Sequence, residues 1–183
     1  LKDMLNKQVA NTSINIVDDP FLERGLGSRL FDAEGLGSRK YTLIKDGVLQ
    51  QWLLDLSSAK QLNLKPFGNA KRGISGPPSP GTSNFMILPG KITPENLIKS
   101  VSNGFYVTDM IGSSVSMITG DYSRGASGFW IKNGELSIPI TEATIAGNLK
   151  EMFMTLQPAN DLDFSHSMNS PTLLIEGMTI AGN

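Results

Sequence analysis

Hydrophobic and polar residues alternate over several short stretches of this chain, the pattern of strands that bury one face. The stretch "TSINIV" (residues 12–17) places Ile14 and Ile16 between polar neighbours. In "YTLIKDGVLQQWLLD" (41–55) two such runs flank an Asp-Gly dipeptide, and in "GFWIKNGELSIPI" (128–140) they flank Asn-Gly. Both dipeptides accept positive φ and favour tight β-hairpins. The pattern therefore predicts a strand at 12–17 and two antiparallel hairpins.

Other stretches have the period of helices. In "TPENLIKSV" (93–101), Thr93 is a suitable N-cap and Pro94 occupies the first helical position, where no amide bond is lost. A weaker pattern, "LSSAKQLNL", covers residues 56–64. In "GNLKEMFMTLQP" (147–158) an apolar stripe, interpreted as core packing, is formed by Leu149, Met152, Phe153 and Leu156. Together these patterns predict a mainly β (α+β) fold, with antiparallel sheets forming a barrel- or sandwich-like domain and two or three short helices.

Residues 66–84 are rich in Gly, Pro and Ser, a composition that predicts a flexible loop. Within it, "NAKRG" (69–73) is a weak candidate for binding a phosphate or carboxylate, because no strand and helix surround it. "GLGSR" occurs at 25–29 and 35–39, and "TIAGN" occurs at 144–148 and 179–183. Neither pair lies in a longer repeat, so the sequence predicts no solenoid. We interpret the two "TIAGN" copies as equivalent strand ends that meet a Gly turn.

Composition narrows the classes of function. Sixteen Lys plus Arg balance 17 Asp plus Glu, so charge provides no reason to expect nucleic acid or an anionic membrane as a partner. No apolar run of about 18 residues and no signal-peptide pattern occur. The absence of cysteine fits a cytosolic origin and excludes a thiolate nucleophile and a Cys-ligated zinc. Because the first residue is Leu1, we expect residues 1–183 to be part of a longer protein.

Residues 1–183 contain few signs of catalytic machinery. His166 is the single histidine and lies in the polar stretch "FSHSMNSP", which favours a solvated loop. Ser123 and Ser127 lack the pattern of a nucleophile elbow, which argues against a Ser-His-Asp triad. Paired carboxylates at 18–19, 32 with 34, and 161 with 163 are typical of turns and helix caps, because acid-base catalysis needs two distinct environments.

The densest group of unusual residues is "TGDYSRGASGFW" (119–130). Asp121 either orients a substrate or caps the turn at Gly120, and the second reading is favoured. Arg124 either clamps a carboxylate or pairs with a nearby acid. Trp130 is either a core anchor or an interface residue. Two glycines, at 125 and 128, are expected to allow a close backbone approach or a positive φ.

Several long motifs resemble the C-terminal part of the TldD/PmbA family, in its PmbA (TldE) branch. They are "GLGSRLFDAEG", "DGVLQQWLLDLSSAKQLNL", "TGDYSRGASGFWIKNGELSIPITEATIAGNLKEM" and the terminal "PTLLIEGMTIAGN". The match runs in order from about residue 18 to residue 183, and its long central motif is highly specific. Residues 68–84, in the predicted loop, are the least similar part.

The resemblance implies a subunit of a cytoplasmic protease system, peptidase family U62, whose members are also described as modulators of DNA gyrase. In that family the TldD partner carries a helical His-Glu motif and a further His that bind a metal, expected to be zinc, and the PmbA branch lacks those ligands. The pair processes peptides, including maturation of a microcin-class antibiotic and turnover of an antitoxin. The family's N-terminal α/β domain is absent from residues 1–183, which are therefore expected to be one C-terminal β-rich domain.

The resulting hypothesis is a non-catalytic PmbA-like domain without a cofactor of its own. It pairs with a TldD-like subunit and helps to enclose peptide. The peptide is held by strand addition. A homodimer is the other expected assembly. Candidate peptide or subunit-interface contacts are Asp121, Tyr122, Arg124, Trp130 and Glu176. Two alternatives remain open: a hydrolase in its own right, which uses carboxylates such as Asp121 and Glu176 with a metal, or direct binding to DNA gyrase. Whether the chain is an enzyme is therefore left undecided.

Overall fold

The computed structural model describes residues 2–182, except for the side chains of Lys2 and Ser113. Strands account for 39% and helices for 12% of the chain, so the predicted mainly β fold with short helices is confirmed. The chain forms two compact units. The first contains Leu1–Gln8, Thr12–Pro89 and Leu162–Pro171, and the second contains Val9–Asn11, Gly90–Asp161 and Thr172–Asn183. That residues 1–183 form one C-terminal domain of a longer protein stays a prediction.

Most of the regular structure consists of strands, and short helices separate some of them. The strands are β1 (Ile16–Asp18), β2 (Tyr41–Lys45), β3 (Val48–Leu49), β4 (Ala70–Lys71), β5 (Ser79–Pro80), β6 (Phe85–Ile87), β7 (Asn103–Val115), β8 (Asp121–Lys132), β9 (Glu135–Asn148), β10 (Gln157–Pro158), β11 (Met168–Asn169), β12 (Leu173–Leu174) and β13 (Thr179–Gly182). The helices are a 3₁₀ turn at Lys2–Met4, α1 (Leu56–Leu62), α2 (Pro94–Lys99) and α3 (Leu149–Thr155). No helix among residues 2–182 has the length and apolar character needed to cross a bilayer.

The first unit is built on a five-stranded sheet with the order β11-β6-β1-β2-β3. Its central strand, β1, pairs antiparallel with β2 and β6, while β11 joins β6 in parallel. The prediction of a half-buried strand at 12–17 is wrong in bounds and burial. Successive strand side chains point to opposite faces, and all three of β1 are buried, so both faces of this strand are covered.

Both predicted hairpins are confirmed. Asp46 and Gly47 have φ of 49° and 77° between β2 and β3, and Asn133 and Gly134 have φ of 53° and 81° between β8 and β9. Two successive positive φ values match the right-handed strand twist at a two-residue turn. A further short hairpin, β4 with β5, forms inside the predicted loop 66–84, whose flexibility stays a prediction.

Buried polar side chains hold the long loops of the first unit. Asp32, only 4% exposed, accepts hydrogen bonds from the amides of Glu34 and Leu36, each at 2.9 Å, and of Ala70 at 3.0 Å. It therefore joins the turn in "FDAEG" to the start of β4. Because a buried amide without a partner is unfavourable, these bonds replace the ladder that a strand would supply.

Asn84 has the same role for the first "GLGSR" copy. It is fully buried, accepts from the amide of Gly27 at 2.8 Å, and donates to the carbonyl of Asp19 at 2.8 Å and to the hydroxyl of Ser28 at 2.9 Å. A Cβ added to Gly27 would lie 2.4 Å from the carbonyl oxygen of Ser83. This copy of the motif is therefore packed directly against the segment that leads into β6.

A third buried group centres on Tyr41. Its hydroxyl accepts from the side-chain amide of Asn69 at 2.7 Å and hydrogen-bonds to Asp18, its cross-strand partner. The Asp18 carboxylate also accepts from the amide of Ser83 at 2.7 Å. Burial, together with the negative charge of Asp18, raises the pKa of Tyr41 far above its ordinary value. The phenol thus remains a neutral donor that satisfies a buried carboxylate.

The second unit is built on a four-stranded sheet with the order β13-β9-β8-β7. Three of its strands form one long antiparallel meander of 12 to 14 residues per strand. The two "TIAGN" copies lie in β9 and β13 and pair with each other, with Ile145 opposite Ile180. The prediction that both copies are strands is confirmed as far as Gly182, and Asn183 lies outside the described residues. The predicted Gly turn is wrong for the first copy, because α3 starts directly after Asn148. No sheet within residues 2–182 closes into a barrel.

The predicted helices are confirmed, with shorter bounds. α2 starts after the N-cap Thr93 with Pro94 first, and α3 starts after the N-cap Asn148 and buries Met152. α1 starts after Asp55, whose side chain accepts from the amide of Ser58. Each cap supplies a partner to an amide that the first helical turn leaves without one.

Gly128 marks a point where the backbones of β7 and β8 come very close. A Cβ added there would lie 1.9 Å from the carbonyl oxygen of Tyr106. At Gly125, three residues earlier on the same strand, the nearest atoms belong to Ile111 at an ordinary 3.5 Å. Neither glycine has a positive φ. The predicted need for glycine is therefore confirmed at 128 and wrong at 125.

We expect Gly128→Ala to separate β7 from β8 locally and to lower the free energy of unfolding by roughly 1–3 kcal/mol or more, the usual range for overpacking. Gly125→Ala is the matched control and should change it by less than about 1 kcal/mol. Equilibrium unfolding in urea measures both. Equal losses in the two variants would show that backbone approach at 128 is not the constraint.

Candidate functional site

Asp121 is the first residue of β8 and binds the turn before it. Its carboxylate accepts from the hydroxyl of Thr119 at 2.6 Å and from the side-chain amide of Asn148 at 3.2 Å. Asn148 also donates to the carbonyl of Thr119 and accepts from the amide of Lys150 at the start of α3. The bonds from Thr119 and then Asn148 lower the pKa of Asp121. This geometry agrees with the turn-capping reading, because the carboxylate joins the β7–β8 turn to α3.

Tyr122 and Arg124 follow at alternate positions on one face of β8. The hydroxyl of Tyr122 lies 3.5 Å from the sulfur of Met110. Arg124 is half-buried, and its Nε is buried without a hydrogen-bond partner in the described part of the chain. It forms no ion pair with any described residue. Its guanidinium remains available to a carboxylate, and that contact stays a prediction.

Trp130 lies near the other end of β8, beside an open cleft. Its ring packs against Phe105, with centroids 5.4 Å apart and planes inclined by 60°. The cleft has a volume of about 690 Å³, and its lining includes Trp130, Lys132, Ile138 and Ile140. Ile138 is 60% exposed. The cleft is open to solvent, and its lining is mostly apolar.

Glu176 is exposed in the segment before β13. Its backbone exchanges hydrogen bonds with the hydroxyl of Thr155, the last residue of α3. The structure therefore does not gather the candidate contacts into one site. Asp121 and Trp130 alone are nine residues apart on one strand, which corresponds to about 30 Å.

The remaining candidates for chemistry have structural partners. His166 is exposed in a loop, as expected, and its amide donates to Asn169. The hydroxyl of Ser127 donates to the carbonyl of Thr141 at 2.8 Å, across to β9. The hydroxyl of Ser127 therefore connects two strands.

Most of the paired carboxylates act as turn and cap residues, as predicted, but the prediction is wrong for Asp18, which is buried in β1. Asp19 forms an ion pair with Lys40 at 2.7 Å. Glu34 accepts from the first amide of α1 at 2.8 Å, and Asp161 accepts from the amide and hydroxyl of Thr172 at 2.9 and 2.7 Å. Among residues 2–182, no three His, Asp or Glu side chains converge in a way that would hold a metal ion.

Sequence reasoning missed the exposed end of the β7–β8 hairpin. We call residues 116–120 the tip; it has the sequence "SMITG" and joins β7 to β8. Its Met117 and Ile118 are 86% and 94% exposed, and Ile111 on β7 is 65% exposed. The sequence contained one sign of this exposed tip, namely two apolar residues inside a turn, where polar residues are usual.

The network at Asp121 generates a prediction about pH. A carboxylate whose pKa is lowered by folding stabilises the protein above its unfolded pKa, and this contribution is lost as the pH falls through the lower folded value. At pH 7, Asp121→Asn should therefore lower the midpoint of thermal unfolding. Below about pH 4, where the carboxylate of an unfolded chain is protonated, the difference from the parent protein should shrink.

The control for that experiment is Asp109→Asn, which changes another exposed carboxylate of the same sheet. It should not reproduce the pH-dependent difference. A difference at Asp121 that is constant between pH 3 and pH 7 would contradict the stabilising role of the ionised carboxylate.

Comparison with known proteins places these features in a family. Residues 1–182 match the model described as the PmbA/TldA metallopeptidase C-terminal domain. The chain is 40% identical to metalloprotease PmbA of Escherichia coli O157:H7 over 183 residues, which is 100% of this chain and 39% of that protein. It is 38% identical to a metalloprotease PmbA homolog of Buchnera aphidicola, covering 97% of this chain and 38% of the homolog.

A solved structure shares the fold. TldE from Thermococcus kodakarensis superposes with a TM-score of 0.86 at 28% identity, over 98% of this chain and 42% of that one. The chain thus spans about two fifths of the length of the relatives that it matches. The chain belongs to the PmbA/TldA metallopeptidase family, and it corresponds to the C-terminal domain of that family.

Proposed function

We propose that this chain is the PmbA/TldE-like, non-catalytic half of a cytoplasmic TldD/TldE-type metalloprotease. In this proposal a TldD-like subunit supplies the metal, expected to be zinc, and the cleavage chemistry. The present chain contributes to assembly and to the enclosure of peptide. The substrates are unfolded peptides, such as microcin-class precursors and an antitoxin.

The proposal rests mainly on one contrast. The chain matches a metallopeptidase family, but its described residues contain no set of side chains that would bind a metal ion. No group of three metal-binding side chains converges within residues 2–182. Catalytic zinc sites use three protein ligands and an open position. The described residues therefore do not fit a catalytic metal by themselves, and we assign none of them a step in hydrolysis.

An open sheet edge supports the peptide-binding part of the proposal. β13 pairs with β9 only over Ala143–Ala146. Over Glu135–Glu142, which we call the open β9 edge, no described strand pairs with β9 on the side away from β8. A free edge presents unpaired amides and carbonyls, which an extended peptide can pair with whatever its side chains are. Such binding suits a protein that accepts several unfolded peptides.

The first test measures metal content and peptidase activity of the natural-length protein, alone and mixed with a TldD-like subunit. We expect stoichiometric metal and cleavage of an unfolded peptide in the mixture only, because the described residues lack a ligand set. Removal of the metal by a chelator should abolish cleavage in the mixture. Bound metal and cleavage by the lone protein would instead support the hydrolase that uses Asp121 and Glu176.

The second test addresses recognition through the backbone. A fluorescent unfolded peptide and its scrambled sequence should bind with affinities within about threefold, because edge pairing reads the main chain. N-methylation of every second amide removes the donors on one edge of the peptide. Two peptides are therefore made, one methylated at the odd-numbered amides and one at the even-numbered amides. The peptide whose methylated amides face the open β9 edge should bind at least tenfold more weakly. The other peptide, whose methylated amides face away from that edge, serves as the control.

Fluorescence anisotropy with the natural-length protein measures these affinities. Strong discrimination between the original and the scrambled peptide, or equal affinity for both methylated sets, would contradict strand addition.

A further inference from the structure

Arg124 carries a positive charge that no described residue neutralises. The side chain is half-buried, and it forms no ion pair within residues 2–182. Its Nε is buried without a hydrogen-bond partner, and its two terminal nitrogens, which are not buried, donate to no described residue either. An arginine that is partly removed from water usually has an anionic partner, because a buried donor without an acceptor is unfavourable. The guanidinium is therefore suited to an anionic ligand from outside the described residues.

The surrounding side chains fix the arginine on the sheet. Residues that lie opposite each other on antiparallel strands share one face of the sheet. Ile145, opposite Arg124 on β9, is 7% exposed, and Ala126, two residues further along β8, is 1% exposed. The aliphatic part of Arg124 therefore lies on a closely packed apolar surface, and its charged end reaches solvent. A guanidinium held in this way loses little further freedom when it binds a ligand, which favours affinity.

Tyr122 supplies a second donor on the same face of β8, because alternate residues of a strand share a face. Its hydroxyl lies 3.5 Å from the sulfur of Met110, and a thioether is a weak acceptor. A carboxylate oxygen is a stronger acceptor, so the hydroxyl can donate to it instead. Asp121, the nearest carboxylate along β8, is already bound to the turn before it. Arg124 and Tyr122 together thus present a planar fork and an additional donor, which suit a carboxylate.

The register of the sheet places Arg124 near the point where a peptide on the open β9 edge must leave the ladder. That edge ends at Glu142, because Gly182 of β13 pairs with Ala143. Arg124 lies opposite Ile145, three residues beyond Glu142 and one strand further in. It is therefore about 10 Å along the strands and about 10 Å across them from the last paired peptide residue. About three extended residues and the length of the arginine side chain cover that span.

We propose that Arg124 and Tyr122 bind the C-terminal carboxylate of the substrate peptide. The terminal nitrogens of Arg124 contact the two carboxylate oxygens, and the hydroxyl of Tyr122 donates to one of them. The peptide then runs parallel to β9, with its last residues beyond Glu142. Every linear peptide has this carboxylate, so the contact selects a direction and a free end rather than a sequence. The inference rests on the proposed function, because it extends the binding of peptide at the open β9 edge.

Peptides that differ only at the C-terminus test this contact. An unfolded peptide of about twelve residues, enough for the paired segment and the unpaired end, is labelled at its N-terminus and contains no Asp or Glu. It is made with a free C-terminal carboxylate and as the amide. Fluorescence anisotropy measures the dissociation constant of each form from the natural-length protein. We expect the amide to bind at least about tenfold more weakly, because hydrogen bonds between charged groups are the strong ones.

Variants of the protein assign the effect to the two side chains. In Arg124→Gln the two forms should bind within about twofold of each other, with the affinity that the parent protein has for the amide. An unchanged affinity for the amide also shows that this variant is folded. Arg124→Lys keeps the charge but loses the fork, so it should retain only part of the difference. Tyr122→Phe should weaken binding of the carboxylate form alone, by about twofold to fivefold.

The matched control is Lys132→Gln, which removes an exposed charge at the other end of β8. It should leave the full difference between the two forms. A difference that Lys132→Gln removes as completely as Arg124→Gln does would show general electrostatic attraction and overturn the proposal. A further peptide, amidated and carrying Glu near its N-terminus, should bind as weakly as the plain amide. If that Glu restores the affinity, the assignment to the C-terminal carboxylate is wrong.

The same measurements separate this inference from the proposed function. Equal binding of the carboxylate and amide forms to the parent protein would overturn the contact at Arg124 and leave edge pairing in place. Binding of the carboxylate form alone, with no effect of N-methylation, would support the contact and contradict edge pairing. Failure of both forms to bind would overturn both.

Discussion

The requirement that buried backbone amides find hydrogen-bond partners underlies both units of this structure. The second unit meets it with a ladder of three long strands. The first unit has short strands and long loops, so side chains replace the ladder. Asp32 and Asn84 each hold several loop groups, and both are buried within the segments that they join. Removing either side chain would leave buried backbone groups without partners, which is more damaging than losing an exposed contact.

Most candidate catalytic carboxylates are likewise engaged in hydrogen bonds that hold loops and turns. Asp32 and Asp161 in loops and Asp121 at the start of β8 are conspicuous carboxylates, yet each accepts hydrogen bonds from nearby backbone or side-chain donors. A carboxylate used in this way defines the shape of a turn. These carboxylates therefore have structural hydrogen-bond partners in the described part of this chain.

The surfaces that remain for function are properties of the sheet as a whole. The meander places an apolar tip at one end, an apolar cleft at the other, and an unpaired edge along the first part of β9. None of these features depends on one reactive side chain. They suit a subunit that holds chains together and binds extended peptide through its main chain, which is consistent with the role that we propose.

Local patterns in the sequence determined the local structure. Asp46–Gly47 and Asn133–Gly134 specify hairpins because few other pairs accept two positive φ values, and Thr93 with Pro94 specifies the start of a helix because both act within one turn. The family motifs likewise determined the family, since an ordered match of specific segments needs no coordinates. Tertiary structure alone decided the pairing of the two "TIAGN" copies, the complete burial of β1 and the exposure of Met117 and Ile118. Those properties depend on which distant segments lie against each residue, and no local pattern of hydrophobic and polar positions contains that information.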